Sequence, residues 1–366
     1  MFIVGMIMLA VLLFGVIAGF YWLTGRYFSM WGMEIKKRSI RGVRVVISLL
    51  AVVSCMNGGM VSLIIIHVFV VFLLTELVVS LIRRLPQWKR RKHPLLRRIY
   101  RIGIVPVLFV CIVSGYGYYN MRHVGRMDYT VASSKLSQNY KMVLITDTHY
   151  DTIQDPAILQ EKIQEINAVQ PDVVVLGGDI VEEGTSKESM EEVFQRLGSI
   201  QNKYGIYYVY GNHDRQHYTG QPAYTEEELA STITANGITI LDDRVVTLAP
   251  DLVLAGREDV ADASGRLSAE ELLGDVSGNP FLIVADHQPV ETHENAKCGV
   301  DLEVSGHTHA GQIFPIGCFN ELVGLNYGRY QVEDCTAIVS SGFAGWGFPA
   351  RTQGKCEYVM ISLEKE

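Results

Sequence analysis

Five short polar blocks, each directly after an apolar run, constrain this chain more than any other feature of its sequence. The apolar runs have the length and β-branched composition of buried strands, and the first three alternate with segments of helical periodicity. Strand, helix and strand in that order predict βαβ units and a largely parallel sheet, in which ligand-binding groups collect beyond the carboxyl ends of the strands. The blocks are Asp147-Thr148-His149, Gly178-Asp179, Gly211-Asn212-His213-Asp214, Asp286-His287 and Gly306-His307-Thr308-His309.

The same patterns give an outline of the second half of the chain. We expect strands at 141–146, 172–176, 206–210, 281–285 and 302–304, and helices at 156–168 and 186–197. From residue 238 onward the pattern consists mostly of short strands, and the last of them is expected at 357–363. A βαβ half followed by a strand-rich half predicts an α/β fold of two packed sheets with outer helices.

The side chains in the polar blocks are Asp, Asn and His, without cysteine, which is a ligand set for Mn, Fe or Zn. Taken singly, Asp-x-His and Gly-Asp are also ordinary loop sequences, and a lone histidine such as His287 is more often structural. Together the blocks contain five of the ten histidines, always at the end of an apolar run. The joint pattern favours a metal site over a set of unrelated turns.

Two of the blocks carry more specific information. Asn212 offers a neutral oxygen ligand, and the adjacent His213 cannot readily bind the same ion, which leaves it free to act on a substrate. His307 and His309 lie two residues apart in an extended turn, where each can serve a different ion. Glycines before Asp179 and Asn212 remove side chains that would block the approach of metal and substrate.

Charge divides the chain into two unlike parts. Residues 1–119 contain 15 basic and 2 acidic residues, whereas the remaining 247 residues contain 17 basic and 37 acidic ones. We therefore expect a transmembrane region at 1–119, a polar linker at 120–140 and a catalytic domain at 141–366. The acidity of the catalytic part argues against non-specific binding of nucleic acid, which depends on Lys and Arg against phosphate.

The basic part consists of membrane-length apolar segments. We expect four transmembrane helices at about 2–23, 43–58, 60–82 and 102–119, with a turn at Asn57-Gly58-Gly59 between the middle two. The first run lacks the basic n-region and cleavage site of a signal peptide. The loops at 24–42 and 83–101 contain five and nine basic residues, including the run Lys89-Arg90-Arg91-Lys92, and should face the cytoplasm. This orientation predicts a multi-pass plasma-membrane protein with an extracytoplasmic catalytic domain.

The ordered set D-x-H, GD, GNHD, H and GHxH resembles the metallophosphoesterases, the calcineurin-like or purple-acid-phosphatase-like superfamily, over residues 141–363. The segments 307–312 and 340–351 are similar to its bacterial membrane-anchored branch, although Ala310 stands where that branch usually has glycine and Thr148 replaces a commoner leucine. The resemblance implies a two-sheet αββα metallophosphoesterase sandwich. In this chain the sandwich would follow an N-terminal bundle of about four transmembrane helices.

The resemblance also implies two divalent metal ions and a role for each site residue. Asp147, His149 and His309 would hold one ion, Asn212, His287 and His307 the other, and Asp179 would bridge them. His213 is the implied catalytic acid, and Asp214 is either its orienting partner or a simple helix cap. Arg215 and Arg351 are candidate phosphate contacts. In such a site, hydroxide formed between two ions attacks phosphorus while the acid protonates the leaving group.

The implied activity is hydrolysis of phosphate mono- or diesters, with lipid or envelope substrates in view of the membrane segments. Two alternatives stay open: a nucleotide-linked lipid pyrophosphatase, and a non-catalytic metal-binding membrane sensor. The intact ligand set speaks against the sensor. The pocket walls, expected from loops at 223–235 and 314–330, carry no readable specificity code, and the four cysteines beyond residue 290 permit disulfides without fixing their pairing. The oligomeric state is not readable from the sequence.

Overall fold

Helices form the first part of the chain. The computed structural model describes residues 2–56, 60–86, 94–262 and 265–366, and divides into two compact units, residues 1–116 and 117–366. The helices of the first unit are α1 (Phe2–Met30), α2 (Arg38–Met56), α3 (Met60–Arg84) and α4 (Pro94–Ile102), and α5 (Ile104–Met121) runs from this unit into the second.

Among the described residues, one helix, α5, is both long and apolar enough to cross a membrane. Within the first unit, Glu76 lies on α3 and accepts hydrogen bonds from Arg26 at 3.1 Å and from the Tyr100 hydroxyl at 2.6 Å. A carboxylate inside an apolar helix is therefore compensated by a cation and a hydroxyl from two other helices, which offsets the cost of its desolvation.

Two details of the first unit differ from the sequence expectations. Residues 94–102 form helix α4 inside the expected loop at 83–101, because apolar residues such as Leu95 and Ile99 recur there at helical spacing among arginines. Helix α1 continues past residue 23 to Met30. The expected turn Asn57-Gly58-Gly59 and the basic run Lys89-Arg90-Arg91-Lys92 lie outside the described residues.

The second unit contains a six-stranded sheet in the order β1-β12-β2-β3-β4-β5. Strands β2 to β5 are mutually parallel, β12 runs antiparallel to β2, and β1 is parallel to β12. The strands are β1 (Val124–Ser133), β2 (Tyr140–Ile145), β3 (Val173–Leu176), β4 (Ile206–Tyr208), β5 (Ile238–Ile240) and β12 (Cys356–Lys365). The connecting helices are α6 (Pro156–Val169), α7 (Lys187–Gly198) and α8 (Glu226–Ala235).

A second six-stranded sheet has the order β10-β11-β9-β8-β7-β6. Its four inner strands are parallel and its two edge strands are antiparallel to their neighbours. The strands are β6 (Arg244–Ala249), β7 (Leu252–Gly256), β8 (Phe281–Ala285), β9 (Leu302–Ser305), β10 (Gly328–Val332) and β11 (Cys335–Val339). Short helices accompany it: α9 (Ala269–Leu273), α10 (Thr292–Lys297) and α11 (Ile316–Asn320).

The alternation of side chains along the strands produces four layers. On β3, Val173 and Val175 point to one face and pack in a core shared with the second sheet, where Leu254 and Ile283 meet them. The opposite face of the same strand, with Val174, packs in a second core against helices α6 and α7. The second sheet has its own outer core against α9 and α10. The expected α/β fold, helices outside two packed sheets, is confirmed.

Two segments expected to be irregular are regular instead. Residues 120–140 were expected to be a linker, but β1 pairs in parallel with the last strand over ten residues, because this edge of the sheet offers it an unpaired backbone. Part of the expected loop at 223–235 is helix α8, which begins with a capping box between Thr225 and Glu228. Among the described cysteines, Cys111, Cys298, Cys318, Cys335 and Cys356 are free thiols.

Candidate metal centre

The predicted ligand residues meet where the strand ends of both sheets face each other. Asp147 and His149 follow β2, Asp179 follows β3, and the other blocks follow β4, β8 and β9. The chain leaves these strands in a left-handed conformation at several of the ligand positions, with φ of 53° at Asp147, 50° at Asp179 and 67° at His307. Such backbone is costly for residues other than glycine, and clusters of it are typical of functional sites.

Glycines allow the ligand loops to approach one another closely. Gly178 has φ 85°, and a Cβ there would lie 2.6 Å from the backbone nitrogen of Gly211 and 2.7 Å from Nδ1 of His287. A Cβ on Gly211 would in turn overlap the carboxylate of Asp179. Side chains at these two positions would push apart three of the ligand loops, so the glycines are required by the close approach of the loops.

The first cluster of ligand atoms comes from Asp147, His149 and His309, whose donor atoms lie within 4.8 Å of one another. Nε2 of His149 is 3.3 Å from Nε2 of His309, which in turn lies 3.6 Å from Oδ1 of Asp147. The Asp147 carboxylate also accepts hydrogen bonds from the Thr146 hydroxyl at 2.8 Å and from the backbone N–H of His307 at 3.1 Å. These bonds fix the orientation of the carboxylate.

The second cluster comes from Asp179, His287 and His307, whose donor atoms also lie within 4.8 Å of one another. Nε2 of His287 lies 3.2 Å from Oδ2 of Asp179, while its Nδ1 is 2.8 Å from the carbonyl oxygen of Gly177. Asp179 also connects the two clusters, because its Oδ2 lies 4.0 Å from Nε2 of His149 in the first. The sequence had grouped Asn212 with His287 and His307, and its Oδ1 is buried here.

The electrostatics of the buried cluster favour neutral imidazoles at two positions. Burial, reinforced by the charge of His287, lowers the pKa of His307 to about 4. Burial and neighbouring His149 also lower the pKa of His309 well below its usual range. A neutral imidazole presents a lone pair, the form in which histidine binds a metal ion. Burial opposes ionisation of Asp179, but the adjacent His287 lowers its pKa below the usual range.

The donor set fits divalent metal ions on three observations. The Nε2 atoms of His149 and His309 face each other across 3.3 Å inside a buried cluster that also contains a carboxylate. Oδ1 of Asn212 is buried and has no hydrogen-bond partner, and the buried Nε2 of His287 lies 3.2 Å from Oδ2 of Asp179 without forming a well-aligned hydrogen bond. Buried polar atoms are nearly always paired, so such convergent unpaired donors indicate positions for a cation. Carboxylate, amide and imidazole groups are the ligands expected for Mn, Fe or Zn.

Two glutamates complete the site and were missed by the sequence analysis. Oε2 of Glu182 lies 3.0 Å from Nδ1 of His149, and Oε2 of Glu183 lies 2.7 Å from Nδ1 of His213. Burial opposes protonation of His213, but its contact with Glu183 raises the pKa of the ring. The available signal was their position, three and four residues after Asp179 in the same loop. A carboxylate behind a ligand histidine is a common second partner in metal sites.

Asp214 has a different role from the orienting one expected for it. Its side chain is fully buried and accepts backbone N–H bonds from Asp179 at 2.8 Å and from Gly211 at 2.6 Å through one oxygen. The other oxygen accepts from Ile180 at 2.9 Å and from Val181 at 3.1 Å. Asp214 therefore fastens the loop after β3 to the loop after β4, and the ring of His213 is oriented by Glu183.

The two arginines expected to contact phosphate are both engaged elsewhere. Arg351 is fully buried and donates to the carbonyl oxygens of Ala344 at 2.6 Å, Lys355 at 3.1 Å and His309 at 3.2 Å. These bonds hold its guanidinium against the loop of His309. Arg215 pairs with Asp262 and, at 3.2 Å, with Asp242, and its guanidinium lies 3.8 Å from the centre of the Tyr210 ring.

A cavity of about 590 Å³ opens beside the clusters. It is lined by Glu182, Glu183, Asn212, His213, Tyr218, Trp346 and Gly347. The His213 ring lies 5.2 Å from the ring of Tyr218 and 5.3 Å from that of Trp346, centre to centre. His213 thus lies in the wall of an open cavity, next to Asn212, and the aromatic rings of Tyr218 and Trp346 are its neighbours in that wall.

Comparison with known proteins agrees with this geometry. Residues 140–311 match the family model described as calcineurin-like phosphoesterase. The chain is 29% identical over 285 residues to an uncharacterized metallophosphoesterase of Helicobacter pylori, covering 75% of this chain and 72% of that protein. It is 28% identical over 270 residues to an uncharacterized metallophosphoesterase of Bacillus subtilis, covering 69% of this chain and 90% of that protein.

The name of one vertebrate relative describes that relative as a transmembrane protein. The chain is 26% identical over 285 residues to the "transmembrane protein with metallophosphoesterase domain" of Danio rerio, covering 73% of this chain but 63% of that protein, less than two thirds of its length. Among solved structures, a dimetal phosphatase from Danio rerio aligns with a TM-score of 0.37 and 15% identity, over 55% of this chain and 86% of the other.

The family match includes all five polar blocks, and the relatives named as metallophosphoesterases extend it over most of the chain. Divalent metal ions are therefore the cofactors, and a phosphoester is the substrate. Residues 140–311 are a calcineurin-like metallophosphoesterase domain, and the protein is a metal-dependent phosphohydrolase.

Proposed function

We propose that this protein is a membrane-anchored phosphoesterase with a binuclear metal centre that hydrolyses phosphate mono- or diesters. The observation that carries the proposal is the pair of three-residue ligand clusters, Asp147/His149/His309 and Asp179/His287/His307, buried side by side next to an open cavity. Asp179 is the bridging residue in this assignment, and Asn212 completes the second set through its buried oxygen. Bound divalent ions would neutralise phosphate charge and activate water near neutral pH.

The residues around the ligands keep the ligand atoms in place. Oε2 of Glu182 lies 3.0 Å from Nδ1 of His149, on the side of the ring away from Nε2, which leaves Nε2 free to bind a metal. The carbonyl oxygen of Gly177 does the same for His287. Asp214 holds the backbone of the two loops that carry Asp179 and Asn212. Because ligands held in advance need no rearrangement on binding, this arrangement favours tight and well-defined metal sites.

His213 is the proposed general acid. Its Nδ1–H is directed to Glu183, so Nε2 is the atom that would deliver a proton to the departing oxygen of the ester. The backbone N–H of His213 donates to Oδ1 of Asp179 at 2.9 Å, which ties the position of the acid to the proposed bridging carboxylate. The aromatic rings of Tyr218 and Trp346 would then border the leaving group.

Membrane anchoring is proposed from the N-terminal residues. In the first unit, helices α2, α3 and α5 expose many large apolar side chains, such as Leu50, Leu77 and Ile112. Exposed apolar surface on this scale is unusual for protein in water and is typical of surface in lipid. We assign 1–119 to the membrane region with about four spans, 141–366 to the catalytic domain, and the basic loops to the cytoplasm, which leaves the catalytic domain extracytoplasmic.

The test is turnover by the purified full-length protein after metal removal and reloading with Mn, Fe or Zn. We expect hydrolysis of p-nitrophenyl phosphate or bis(p-nitrophenyl) phosphate that depends on the added metal. A panel that also contains a nucleotide-linked lipid pyrophosphate separates the substrate classes. Well-metallated protein that hydrolyses none of these esters would instead favour a metal-binding sensor.

A further inference from the structure

The segment that follows the last ligand exposes an unusual amount of apolar surface. Residues 314–323, here called the apolar segment, contain one charged residue, Glu321. Its large apolar side chains have exposed fractions of 60% at Phe314, 49% at Ile316, 62% at Phe319, 79% at Leu322 and 88% at Val323. Single exposed apolar residues are normal, but five within ten residues indicate a surface that binds another apolar surface, such as a protein or a membrane.

Hydrogen bonds attach the apolar segment to the loop at 346–354. Gln312, two residues before the segment, accepts the backbone N–H of Trp346 at 2.9 Å and donates to the carbonyl oxygen of Phe348 at 3.0 Å. The backbone N–H of Phe314 donates to the Thr352 hydroxyl at 3.0 Å, and that of Gly317 donates to the Gln353 side chain at 3.0 Å. The segment is thus held in place at both its start and its middle.

The same loop is attached to the end of the candidate membrane span. The backbone N–H of Arg351 donates to the carbonyl oxygen of Gly117 at 2.9 Å. The side chain of Asn120 donates to the carbonyl oxygens of Arg351 at 3.0 Å and Gly354 at 2.9 Å. Gly117 and Asn120 belong to the last turns of α5, which ends at Met121. A continuous set of hydrogen bonds therefore leads from the end of this helix to the apolar segment.

The end of α5 has the composition expected at a membrane surface. Tyr118 and Tyr119 are 52% and 60% exposed, and the guanidinium of Arg122 lies 3.6 Å from the centre of the Tyr118 ring. Tyrosines followed by arginine are typical of the level at which a helix leaves the hydrocarbon for the headgroups. The apolar segment, fastened next to this point, lies at the same end of the unit.

We infer that the apolar segment docks on the bilayer that α5 enters, with Phe314, Phe319, Leu322 and Val323 inserted at the interface. The occupant is a lipid bilayer because the segment is attached to the end of a candidate span and carries a single charge. A second copy of the chain would also cover apolar surface, but nothing ties such a copy to the end of α5.

Docking has a consequence for the substrate, and this part rests on the proposed function. Trp346 lies in the wall of the cavity with His213, and its backbone N–H donates to the side chain of Gln312, two residues before the apolar segment. The mouth of the site is therefore next to the docked surface. The substrate class that fits this placement is a phosphoester carried by a lipid of the same bilayer.

Docking is tested by depth-dependent quenching in the full-length protein reconstituted into phosphatidylethanolamine–phosphatidylglycerol vesicles. A fluorescent amino acid is incorporated at Leu322 and, in a separate control protein, at Lys203. Lys203 precedes β4 and therefore lies at the amino ends of the strands, whereas the ligand loops follow their carboxyl ends. Spin-labelled lipids should quench the probe at 322 and leave the probe at 203 unchanged. Equal, weak quenching at both positions overturns the inference. A probe at 322 that is shielded but unquenched, in a protein that sediments as a dimer, overturns it in favour of a second copy.

The substrate class is tested with the double variant Leu322→Glu/Val323→Glu, both exposed enough to change without loss of packing. Its kcat/KM on fluorescent phosphatidic acid and phosphatidylethanolamine in vesicles should fall at least about tenfold, because charged side chains oppose interfacial insertion. Its rate on soluble p-nitrophenyl esters should stay at the wild-type level. In the control variant Val245→Glu, the rate on lipid esters and the rate on soluble esters should both stay at the wild-type level. Equal losses on lipid and soluble esters overturn the lipid assignment. Absence of turnover by metallated wild type on every ester refutes the proposed function, whereas docking is still decided by the quenching experiment.

Discussion

Nδ1 of His213 and Oε2 of Glu183 lie 2.7 Å apart in the wall of the cavity, next to the two ligand clusters. The contact determines which ring nitrogen of His213 is available to a substrate, because the nitrogen bonded to Glu183 cannot deliver a proton elsewhere. A carboxylate in this position also stabilises the protonated ring. Glu183 is thus a positioning residue for the proposed acid.

Replacing Glu183 with glutamine should retain the metal ions and lower kcat by about 10–100-fold on alkyl phosphoesters, since general-acid catalysis is typically worth about 10²–10⁴-fold. Nitrophenyl esters, whose leaving group needs little protonation, should lose much less. The measurement is kcat against leaving-group pKa for wild type, Glu183→Gln and, as a matched surface control, Glu188→Gln. Equal losses across leaving groups would mean that Glu183 acts only on the shape of the loop.

Replacing Asp214 with asparagine should destabilise the protein. An amide has one accepting oxygen where the carboxylate has two, so about two of the four backbone N–H groups lose their partner. Each buried group left unpaired costs about 1–3 kcal/mol. We expect a lower unfolding temperature and weaker metal affinity, with the dependence on leaving-group pKa unchanged. A variant that loses activity on poor leaving groups alone, at unchanged stability, would restore Asp214 as the partner of His213.

Glu303 predicts a pH dependence of stability. Burial, together with the charge of Asp286, raises the pKa of Glu303 to about 7, and the side chain accepts hydrogen bonds from Thr292 and Asn295 at 2.8 Å each. Because the folded carboxyl retains its proton to higher pH than the unfolded one, its contribution to stability is complete below about pH 4.5 and is lost as pH rises through about 7.

This contribution is measured as the difference between wild type and Glu303→Gln, which cannot titrate. The free energy of unfolding of wild type should fall, relative to the variant, by about 3 kcal/mol from pH 4.5 to 8. Chemical unfolding of the full-length protein in detergent at several pH values gives this difference, and titrations common to both proteins cancel. A difference that does not change with pH would show that the pKa of Glu303 is the same in the folded and the unfolded protein.

The membrane arrangement predicts the location of three fusion sites. Reporters joined at Gly42 and Leu95 should report the cytoplasm, and one joined at Glu366 should report the outside, because the loops at 24–42 and 83–101 carry the basic residues. A cytoplasmic Glu366 would mean that the number of spans between the basic loops and the C-terminus is wrong by one, and it would place the catalytic domain in the cytoplasm.

The fold was predictable from the sequence where an apolar run ends directly at a polar block. The strands before Asp147, Asp179 and His287 were predicted within one or two residues, because a buried parallel strand is an unbroken apolar run. Strand β1 was missed because its side chains lie at a sheet edge and alternate weakly, so its pairing depends on β12, more than 200 residues away. The capping box that begins α8 was readable from Thr225 and Glu228.

Side-chain partners were less predictable than ligand identity. Asp214 follows His213 directly, which suggested a pair, but adjacent residues in a tight turn point apart and Asp214 is turned toward backbone N–H groups. Arg351 occurs in a glycine-rich loop near the site, and only the fold shows that it is enclosed by carbonyl oxygens. Such roles depend on where separate loops meet, which sequence spacing does not encode.

Asp179 joins the two metal ions in the proposed site, and the metal content of Asp179→Asn tests this role most directly. Elemental analysis of the purified wild type should give two ions per chain, and the variant should lose both from tight binding together with nearly all turnover. His217→Asn is the control, since His217 pairs with Glu226 and Asp262 outside the clusters, and it should retain both ions and most activity. An Asp179→Asn protein with two tightly held ions and near-normal turnover would contradict the account.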